Sequence, residues 1–211
     1  MGMSPSHTGA ILLKCRGRLG ASEAQWRDML KKLASACLPL GESAAMHAAL
    51  EGDETYIYLF SREPGAITPA VLARLAERAR AEAVFQGVEI RAARLRPLFD
   101  MAGASSLERP LFHYVVETDV VPEQEADLNA WYDIEHMPGL AACPGSVRAR
   151  RFRNPDGPPR YHACYDLVRT ETLGSEPWLA VRRSSWSERV RPHFRNTIRT
   201  MFKRLFDVTS R

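Results

Sequence analysis

The chain has 211 residues, enough for one large domain or two of about 100 residues each. Apolar residues make up 45% and charged residues 26%, a balance that excludes wholesale disorder, collagen and coiled coil. No window approaches the roughly 20 apolar residues of a membrane-spanning helix, and the apolar run near the N-terminus is too short for a signal peptide. We therefore expect a cytoplasmic protein that has no membrane partner.

The net charge of +4 raises the question of nucleic-acid binding. The charge is spread evenly, because residues 1–109 and 110–211 each carry a net charge of +2. The one skewed stretch, 178–211, interleaves its basic side chains with aromatic ones such as Trp186 and Phe194, as on the solvated face of a packed element. This pattern predicts that the protein has no nucleic-acid partner.

The first half of the chain predicts the element order βαββαβ. Apolar residues recur at helical spacing after Ser22, which can cap a helix, and Thr68-Pro69 is typical of a helix start. The expected elements are a strand over 10–16, a helix over 22–37, strands over 43–51 and 55–61, a helix over 68–83 and a strand over 88–99.

The second half predicts the same order. Pro138 should end the first helix near Met137, because proline disfavours the helical conformation of the residue before it. Ser185 and Glu188 suggest a capping box in the second helix. The expected elements are a strand over 111–119, a helix over 122–137, strands over 146–152 and 161–168, a helix over 175–191 and a strand over 197–208.

Short sequence echoes indicate an internal duplication. Leu98-Phe99-Asp100 matches the segment 205–207 at an offset of 107, and Trp26-x-Asp28 matches Trp131-x-Asp133 at an offset of 105. A βαββαβ unit covers one face of its sheet with helices, so the other face must be buried elsewhere. We therefore predict an α+β protein of two tandem ferredoxin-like units, 1–108 and 109–211, that form a pseudo-dimeric α+β barrel within one chain.

One dense motif lies in the second half. It reads NAWYDIEHMPG over 129–139 and continues as CPGSVRARRF over 143–152. This region, about 110–208, resembles the EthD-like branch of the dimeric α+β barrel superfamily, in which a W-x-x-x-E-H pattern ends the first helix. The resemblance implies the fold. Relatives include polyketide cyclases, muconolactone isomerase-like proteins and small monooxygenases that use no cofactor, so it does not fix an activity.

The same motif has a physical interpretation on a helix. Leu128, Trp131, Tyr132 and Glu135 stand at i, i+3, i+4 and i+7, which predicts one continuous face. His136 falls in the expected last turn, where the helix dipole and the carboxylate of Glu135 would favour a protonated imidazole.

These residues predict a catalytic site. His136 would act as general acid or base, oriented by Glu135 or Asp133, while Trp131 and Tyr132 line a substrate pocket. Under the alternative interpretation, His136 caps the carbonyls at the end of the helix and Trp131 is a core residue.

The duplication restricts any chemistry to one half. At the offset of 105, Glu135 and His136 correspond to Leu30 and Lys31, so the first half lacks the pair of acid and imidazole. We expect one site per chain.

Other polar residues are weaker candidates. His113 is a candidate substrate contact, and Arg148 and Arg150 share a face of one strand, where they would bind an anionic substrate or pair with a carboxylate such as Asp166. Four histidines in the second half (His113, His136, His162 and His193) leave a haem or metal site open, although none has a recognised ligand spacing. The four cysteines show no paired spacing and are expected to be reduced thiols.

The sequence thus predicts a barrel protein that binds a small apolar organic molecule without a cofactor or metal. An isomerase, cyclase or dehydratase with His136 as acid or base is one hypothesis, and a structural or interaction protein is the other. A haem- or metal-binding barrel and a cofactor-free monooxygenase are further alternatives. Because ferredoxin-like barrels keep edge strands that need cover, we also expect a homo-oligomer, a dimer of pseudo-dimers.

Overall fold

The computed structural model describes residues 7–17, 20–37, 41–63 and 65–209. The strands and helical regions follow the predicted order βαββαβ in each half of the chain. The strands are β1 Gly9–Arg16, β2 Gly41–Ala49, β3 Glu54–Ser61, β4 Glu89–Ala102, β5 Phe112–Val120, β6 Ser146–Arg153, β7 Tyr161–Leu167 and β8 Phe194–Thr209. The α-helices are α1 Glu23–Cys37, α2 Pro69–Ala81, α3 Glu125–Trp131, α4 Met137–Ala141, α5 Glu176–Arg182 and α6 Ser185–Val190.

The strands form one closed barrel in the order β1-β3-β2-β8-β5-β7-β6-β4. This closure confirms the predicted fold class. The chain divides into two compact units: unit 1 comprises the residues up to 97 together with those from 204 onward, and unit 2 comprises 98–203. The last residues of β4, from Leu98 onward, therefore belong to unit 2, and the last residues of β8, from Arg204 onward, belong to unit 1. The sequence suggests a single boundary between residues 108 and 109. No helix in the described ranges is long and apolar enough to cross a membrane.

Unit 1 has a core made mainly of aliphatic side chains. β1 pairs with β3 and β4 in antiparallel register, and β3 also pairs with β2. α1 places Trp26, Leu30 and Leu33 in this core, and the ring of Trp26 meets Phe85 edge-on at 5.3 Å. Thr68 caps α2 as predicted, since its hydroxyl accepts a hydrogen bond from the N–H of Val71 at 3.2 Å.

Unit 2 has a core with more aromatic side chains. β5 pairs with β7 and β8, and β7 also pairs with β6. Because strand side chains alternate between faces, Tyr114 and Val116 of β5 belong to the helix-covered core, whereas His113 points to the other face. Tyr165 lies directly opposite Tyr114 on β7 and joins the same core.

The first helical region of unit 2 does not end where the sequence predicts. α3 is followed by a π-helical turn, Tyr132–His136, and then by α4, which contains Pro138 in its first turn. The N–H of Met137 reaches back five residues to the carbonyl of Tyr132. Proline needs no hydrogen bond at this position, so the chain remains helical through the motif, and the predicted end near Met137 is wrong.

The second helical region is also divided. α5 ends at Arg182, and α6 begins after Ser184, whose hydroxyl accepts a hydrogen bond from the N–H of Ser187 at 3.0 Å. Ser184 therefore caps the helix, one residue before the predicted Ser185.

Candidate active site

A cavity in unit 2 lies between the helices and the helix-covered face of the sheet. It encloses about 400 Å³, a volume that includes open solvent at its mouth. Aromatic rings form most of its wall, and the remaining lining comes from His136, Val116, Leu140 and three arginines. The rings belong to Tyr114, Trp131, Tyr132, Tyr165, Trp178 and Phe194.

The sheet contributes one side of the cavity. Tyr114 and Tyr165 are cross-strand partners on β5 and β7, with ring centroids 6.2 Å apart. Arg199 of β8 pairs with Val116 of β5 and brings a guanidinium to the same face. The alternation of side chains along these three strands fixes which residues reach the cavity.

The helices contribute the other side. The imidazole of His136 stacks on the indole of Trp131 at 4.0 Å between centroids and 25° between planes. Trp131 is held in place because its Nε1–H donates to Ser187 Oγ at 3.2 Å. Phe194 stacks against Tyr132 at 6.5 Å. These contacts set the orientation of the His136 ring at the wall of the cavity.

The π turn decides which residue of the motif is buried. Regular helical spacing from Leu128 and Trp131 places Glu135 on the covered face. The π turn uses five residues where a regular helix uses four, so His136 occupies that face instead and Glu135 is turned outward. The predicted face containing Glu135 is therefore wrong by one position.

Two glycines of the motif are required by packing. A Cβ on Gly139 would lie 2.9 Å from Cγ1 of Val181, so the glycine allows α4 to approach α5 closely. Gly145 has a φ of +91°, and a Cβ there would lie 2.2 Å from the hydroxyl of Thr172. Both residues let α5 and the preceding segment pack against the motif, which closes one side of the cavity.

His136 is an uncharged base in this site. Burial, together with the positive charges of Arg182 and Arg191, lowers its pKa from 6.5 to about 3. The predicted protonated imidazole at a helix end is wrong, because the helix continues past His136 and no carboxylate lies against the ring in the described structure.

Two polar atoms on the cavity wall lack partners. Among the described residues, neither Nδ1 of His136 nor Nε1 of Trp178 makes a hydrogen bond, although both atoms are sealed from solvent. His136 also does not cap the helix, whereas Trp131 is a core residue, as the alternative interpretation expects. Buried polar groups are nearly always hydrogen-bonded, so such exceptions mark sites of function.

Three arginines line the cavity without a counter-charge. Arg182 comes from α5, Arg191 from the turn after α6 and Arg199 from β8. Within the described ranges, the side chains of all three make no ion pair or hydrogen bond. Partial burial and the charges of Arg182 and Arg199 lower the pKa of Arg191, which shows that the three guanidinium groups repel one another.

Tyr114 faces these arginines from the sheet. It is buried, and burial raises the pKa of its phenol, while all three guanidinium groups act in the opposite direction. The hydroxyl of Tyr165, by contrast, donates to the sulfur of Met137 at 3.1 Å.

The structure places the two predicted carboxylates away from His136. Glu135 accepts a hydrogen bond from the hydroxyl of Ser184. Asp133 is exposed and lies 3.6 Å from Arg151, a fully buried side chain that also stacks on Tyr132 at 4.3 Å. Of the predicted site residues, the cavity therefore brings together Trp131, Tyr132 and His136.

The other predicted contacts form a separate buried network on the opposite face of the sheet. Nδ1 of His113 lies 2.7 Å from Asp166 Oδ1, and Arg150 donates to Oδ2 of the same carboxylate at 2.9 Å. Arg148 donates to Asp100 at 2.6 Å. Pairing with a carboxylate, one of the two roles expected for these arginines, is thus the one observed, and none of these residues lines the cavity.

No haem or metal centre is evident in the part of the chain that the structure describes. No three His, Cys, Asp or Glu side chains come close enough to hold a metal ion. His113 and His162 are sealed beside Asp166 and Glu117, and only His136 of the four histidines lines the cavity. Its ring packs against Trp131 and Tyr132.

The predicted site did not include nine of the twelve residues that line the cavity. They are Tyr114, Val116, Leu140, Tyr165, Trp178, Arg182, Arg191, Phe194 and Arg199. The arginines lie in the basic stretch 178–211, and this local excess of charge was the one available signal for them.

Comparison with solved structures defines the fold. A candidate monooxygenase from Lactobacillus acidophilus NCFM superposes with a TM-score of 0.63 at 11% identity, covering 96% of both chains. An anthrone oxidase-like protein gives 0.60 at 12% identity, covering 98% of this chain and 95% of that one. Chlorite dismutase from Candidatus Nitrospira defluvii gives 0.57 at 8% identity, covering 94% and 92%. No protein-family model and no curated protein matches the sequence.

The chain has the dimeric α+β barrel fold. The barrel is shared over nearly the whole length of each chain, in agreement with the resemblance seen in the motif. Identities of 8–12% support the fold alone, so the chemistry of this α+β barrel has to be argued from its own cavity.

Proposed function

We propose that this α+β barrel binds a small aromatic molecule in the cavity of unit 2 and catalyses a proton transfer on it. The observation that carries the proposal is the unprotonated imidazole of His136, stacked on Trp131 at the wall of an aromatic cavity. A neutral imidazole can take a proton from a substrate, whereas an imidazolium cannot.

The proton would move from carbon to Nε2 of His136, because Nδ1 is sealed among protein atoms. The C–H bond breaks, the electron pair stays on the substrate as an enolate or phenolate, and the imidazole becomes an imidazolium. Return of the proton to another atom would complete an isomerisation. Attack of the carbanion on a carbonyl carbon of the same molecule, with the imidazolium proton passing to that carbonyl oxygen, would complete a cyclisation. The hydroxyl of Tyr114 is available to hold the developing oxyanion.

Glu135 and Asp133 have no part in this step. Each has another partner in the structure, so we assign the orientation of His136 to Trp131 and Ser187. Trp131 and Tyr132 keep their proposed role as cavity lining.

Hydrogen exchange of anthrone in deuterated water tests the proposal. Anthrone is an aromatic ketone with an acidic methylene, and a structural neighbour is described as anthrone oxidase-like. We expect the protein to accelerate exchange of the methylene hydrogens. The exchange is measured by NMR in a solution from which oxygen has been removed. Replacing His136 by Gln should slow the catalysed exchange by about 10²-fold or more.

Lys31→Gln is the matched control, since Lys31 occupies the corresponding position in unit 1 and is exposed. It should leave the exchange rate unchanged. Full activity in the His136→Gln protein, or binding of anthrone without exchange by the wild type, would support a structural or binding role instead. Uptake of O₂ that depends on His136 would place the same proton removal ahead of an oxidation, as in the monooxygenase alternative.

Self-association remains a further proposal. Large apolar side chains of unit 2 are exposed, among them Leu107, Ile134 and Ile198. Light scattering should give a mass above that of the 23.7 kDa chain, and a monomer mass at high concentration would contradict the proposal.

A further inference from the structure

We infer that the molecule bound in the cavity is an aromatic carboxylate, whose anionic group is held by Arg182, Arg191 and Arg199. The inference rests on the proposed function to the extent that the same cavity binds the aromatic part of the molecule. It adds the chemical class of the substrate and assigns a specific task to residues that the proton transfer does not use.

The first observation is the convergence of three unpaired guanidinium groups. They come from three separate elements and line one cavity, in which no carboxylate takes part. By comparison, two exposed arginines of unit 2 have carboxylate partners: Arg160 pairs with Glu125 at 3.0 Å, and Arg189 pairs with Asp127 at 3.0 Å. The contrast indicates that the counter-charge at the cavity is supplied by a ligand.

The second observation is the electrostatic cost of the empty arrangement. Arg191 and Arg199 are exposed, and partial burial together with the charges of Arg182 and Arg199 lowers the pKa of Arg191. The charges of Arg182 and Arg191 also lower the pKa of His136, and all three arginines act on the pKa of Tyr114 in the same direction. One bound anion would relieve the mutual repulsion of all three arginines. It would also remove part of the positive field at His136 and so make the imidazole a stronger base when substrate is present.

The third observation is the chemistry of the remaining wall. The rings of Tyr114, Trp131, Tyr132, Tyr165 and Trp178 enclose a space that suits a flat apolar body. The arginine fork matches the two oxygens of a carboxylate and can bind both at once. A small inorganic anion would use the arginines and leave the aromatic wall without a partner.

Binding of a matched pair of probes tests the inference. The probes 2-naphthoate and 2-naphthamide have the same ring system and similar shape, and differ in the charge of one substituent. We expect calorimetry to show 2-naphthoate binding at least about tenfold more tightly than 2-naphthamide, with an affinity that falls as salt is raised.

Single replacements locate the anion subsite. Arg182→Gln, Arg191→Gln and Arg199→Gln should each weaken 2-naphthoate binding about tenfold and leave 2-naphthamide binding unchanged. The control is Arg183→Gln, because Arg183 follows Arg182 in the chain but points away to pair with Glu176 at 2.9 Å. This control should bind both probes as the wild type does.

The possible outcomes separate this inference from the proposed function. Equal binding of the two probes, or an equal effect of the Arg182 and Arg183 replacements, overturns the inference and leaves the proton transfer intact. Displacement of 2-naphthoate by phosphate at similar concentration identifies a general anion site and also overturns it. The His136→Gln protein should still bind 2-naphthoate. If the wild-type protein binds 2-naphthoate tightly but does not accelerate the hydrogen exchange of anthrone, the proposed function alone is overturned.

Discussion

The two units have corresponding helices and strands but differ in what these elements enclose. In unit 1, α1 is a regular helix, and Leu30 fills the core beneath it with Trp26. In unit 2, the corresponding helix contains a π turn, and His136 lies beside Trp131 at a cavity. The core of unit 1 is mainly aliphatic, whereas the Tyr and Trp side chains of unit 2 carry polar groups toward an open space. One architecture can therefore hold a filled core in one unit and a candidate active site in the other.

The difference between the two helices can be tested by deleting one exposed residue from each. Deleting Asp28 from α1 should rotate the rest of the helix by about 100° and withdraw Leu30 and Leu33 from the core. We expect a loss of about 5 kcal/mol or more, enough to unfold an ordinary domain.

Deleting Ile134, which is 69% exposed in the π turn, should remove the extra residue and keep Trp131 and Met137 in place. We expect a cost of about 1 kcal/mol or less. Urea denaturation measures both variants. Equal destabilisation by the two deletions would show that the π turn does not act as an insertion in a regular helix.

The pH dependence of stability should also distinguish the units. The pKa of His136 is lowered from 6.5 to about 3 in the folded protein, so below pH 6.5 the unfolded chain binds the proton more readily. The stabilisation is complete above pH 6.5 and is lost as the pH falls toward 3. Between pH 7 and pH 5 this amounts to about 2 kcal/mol.

The His136→Gln protein should lose about 2 kcal/mol less than the wild type between these two pH values. The Lys31→Gln protein, altered at the matching position of unit 1, should follow the wild type. Urea denaturation curves at pH 7 and pH 5 give the comparison. A parallel loss in all three proteins would mean that His136 is not buried in its neutral form.

The smallest expected difference concerns two helix caps. Thr68→Ala removes a single capping bond from α2 in unit 1 and should cost about 1 kcal/mol. Ser184→Ala removes the cap of α6 and also the hydroxyl that donates to Glu135, so we expect about 1–2 kcal/mol. Thermal melts of the two variants should rank in that order, and a larger loss for Thr68→Ala would contradict the role of Ser184.

Most of the fold could be predicted from local patterns. Apolar runs, several of them rich in aromatic and β-branched residues, predicted strands at β1, β3, β5 and β7, and Thr68 with Pro69 marked the start of α2. Pro138 misled the prediction, because a proline in the first turn of a new helix needs no hydrogen bond and the π turn absorbs the mismatch before it. Helix ends of this kind depend on packing against other segments and not on the adjacent residues alone.

Three of the twelve residues that line the candidate site could be predicted. The motif indicated Trp131, Tyr132 and His136, since they lie close together in the chain and a helix brings them to one face. It also indicated Glu135, which the π turn moves outward. The residues Arg148 and Arg150 were good candidates by alternation, but Asp100 and Asp166 satisfy them.

The sequence by itself determined the element order, the repeat and the position of the imidazole in the second unit, because these depend on spacing over a few residues. The tertiary structure decided the charge state of His136 and the convergence of Arg182, Arg191 and Arg199 with Tyr114. Burial and long-range contacts produce both effects. The groups involved are separated by up to 85 residues in the chain, from Tyr114 to Arg199, and only the paired strands and packed helices bring them to one cavity.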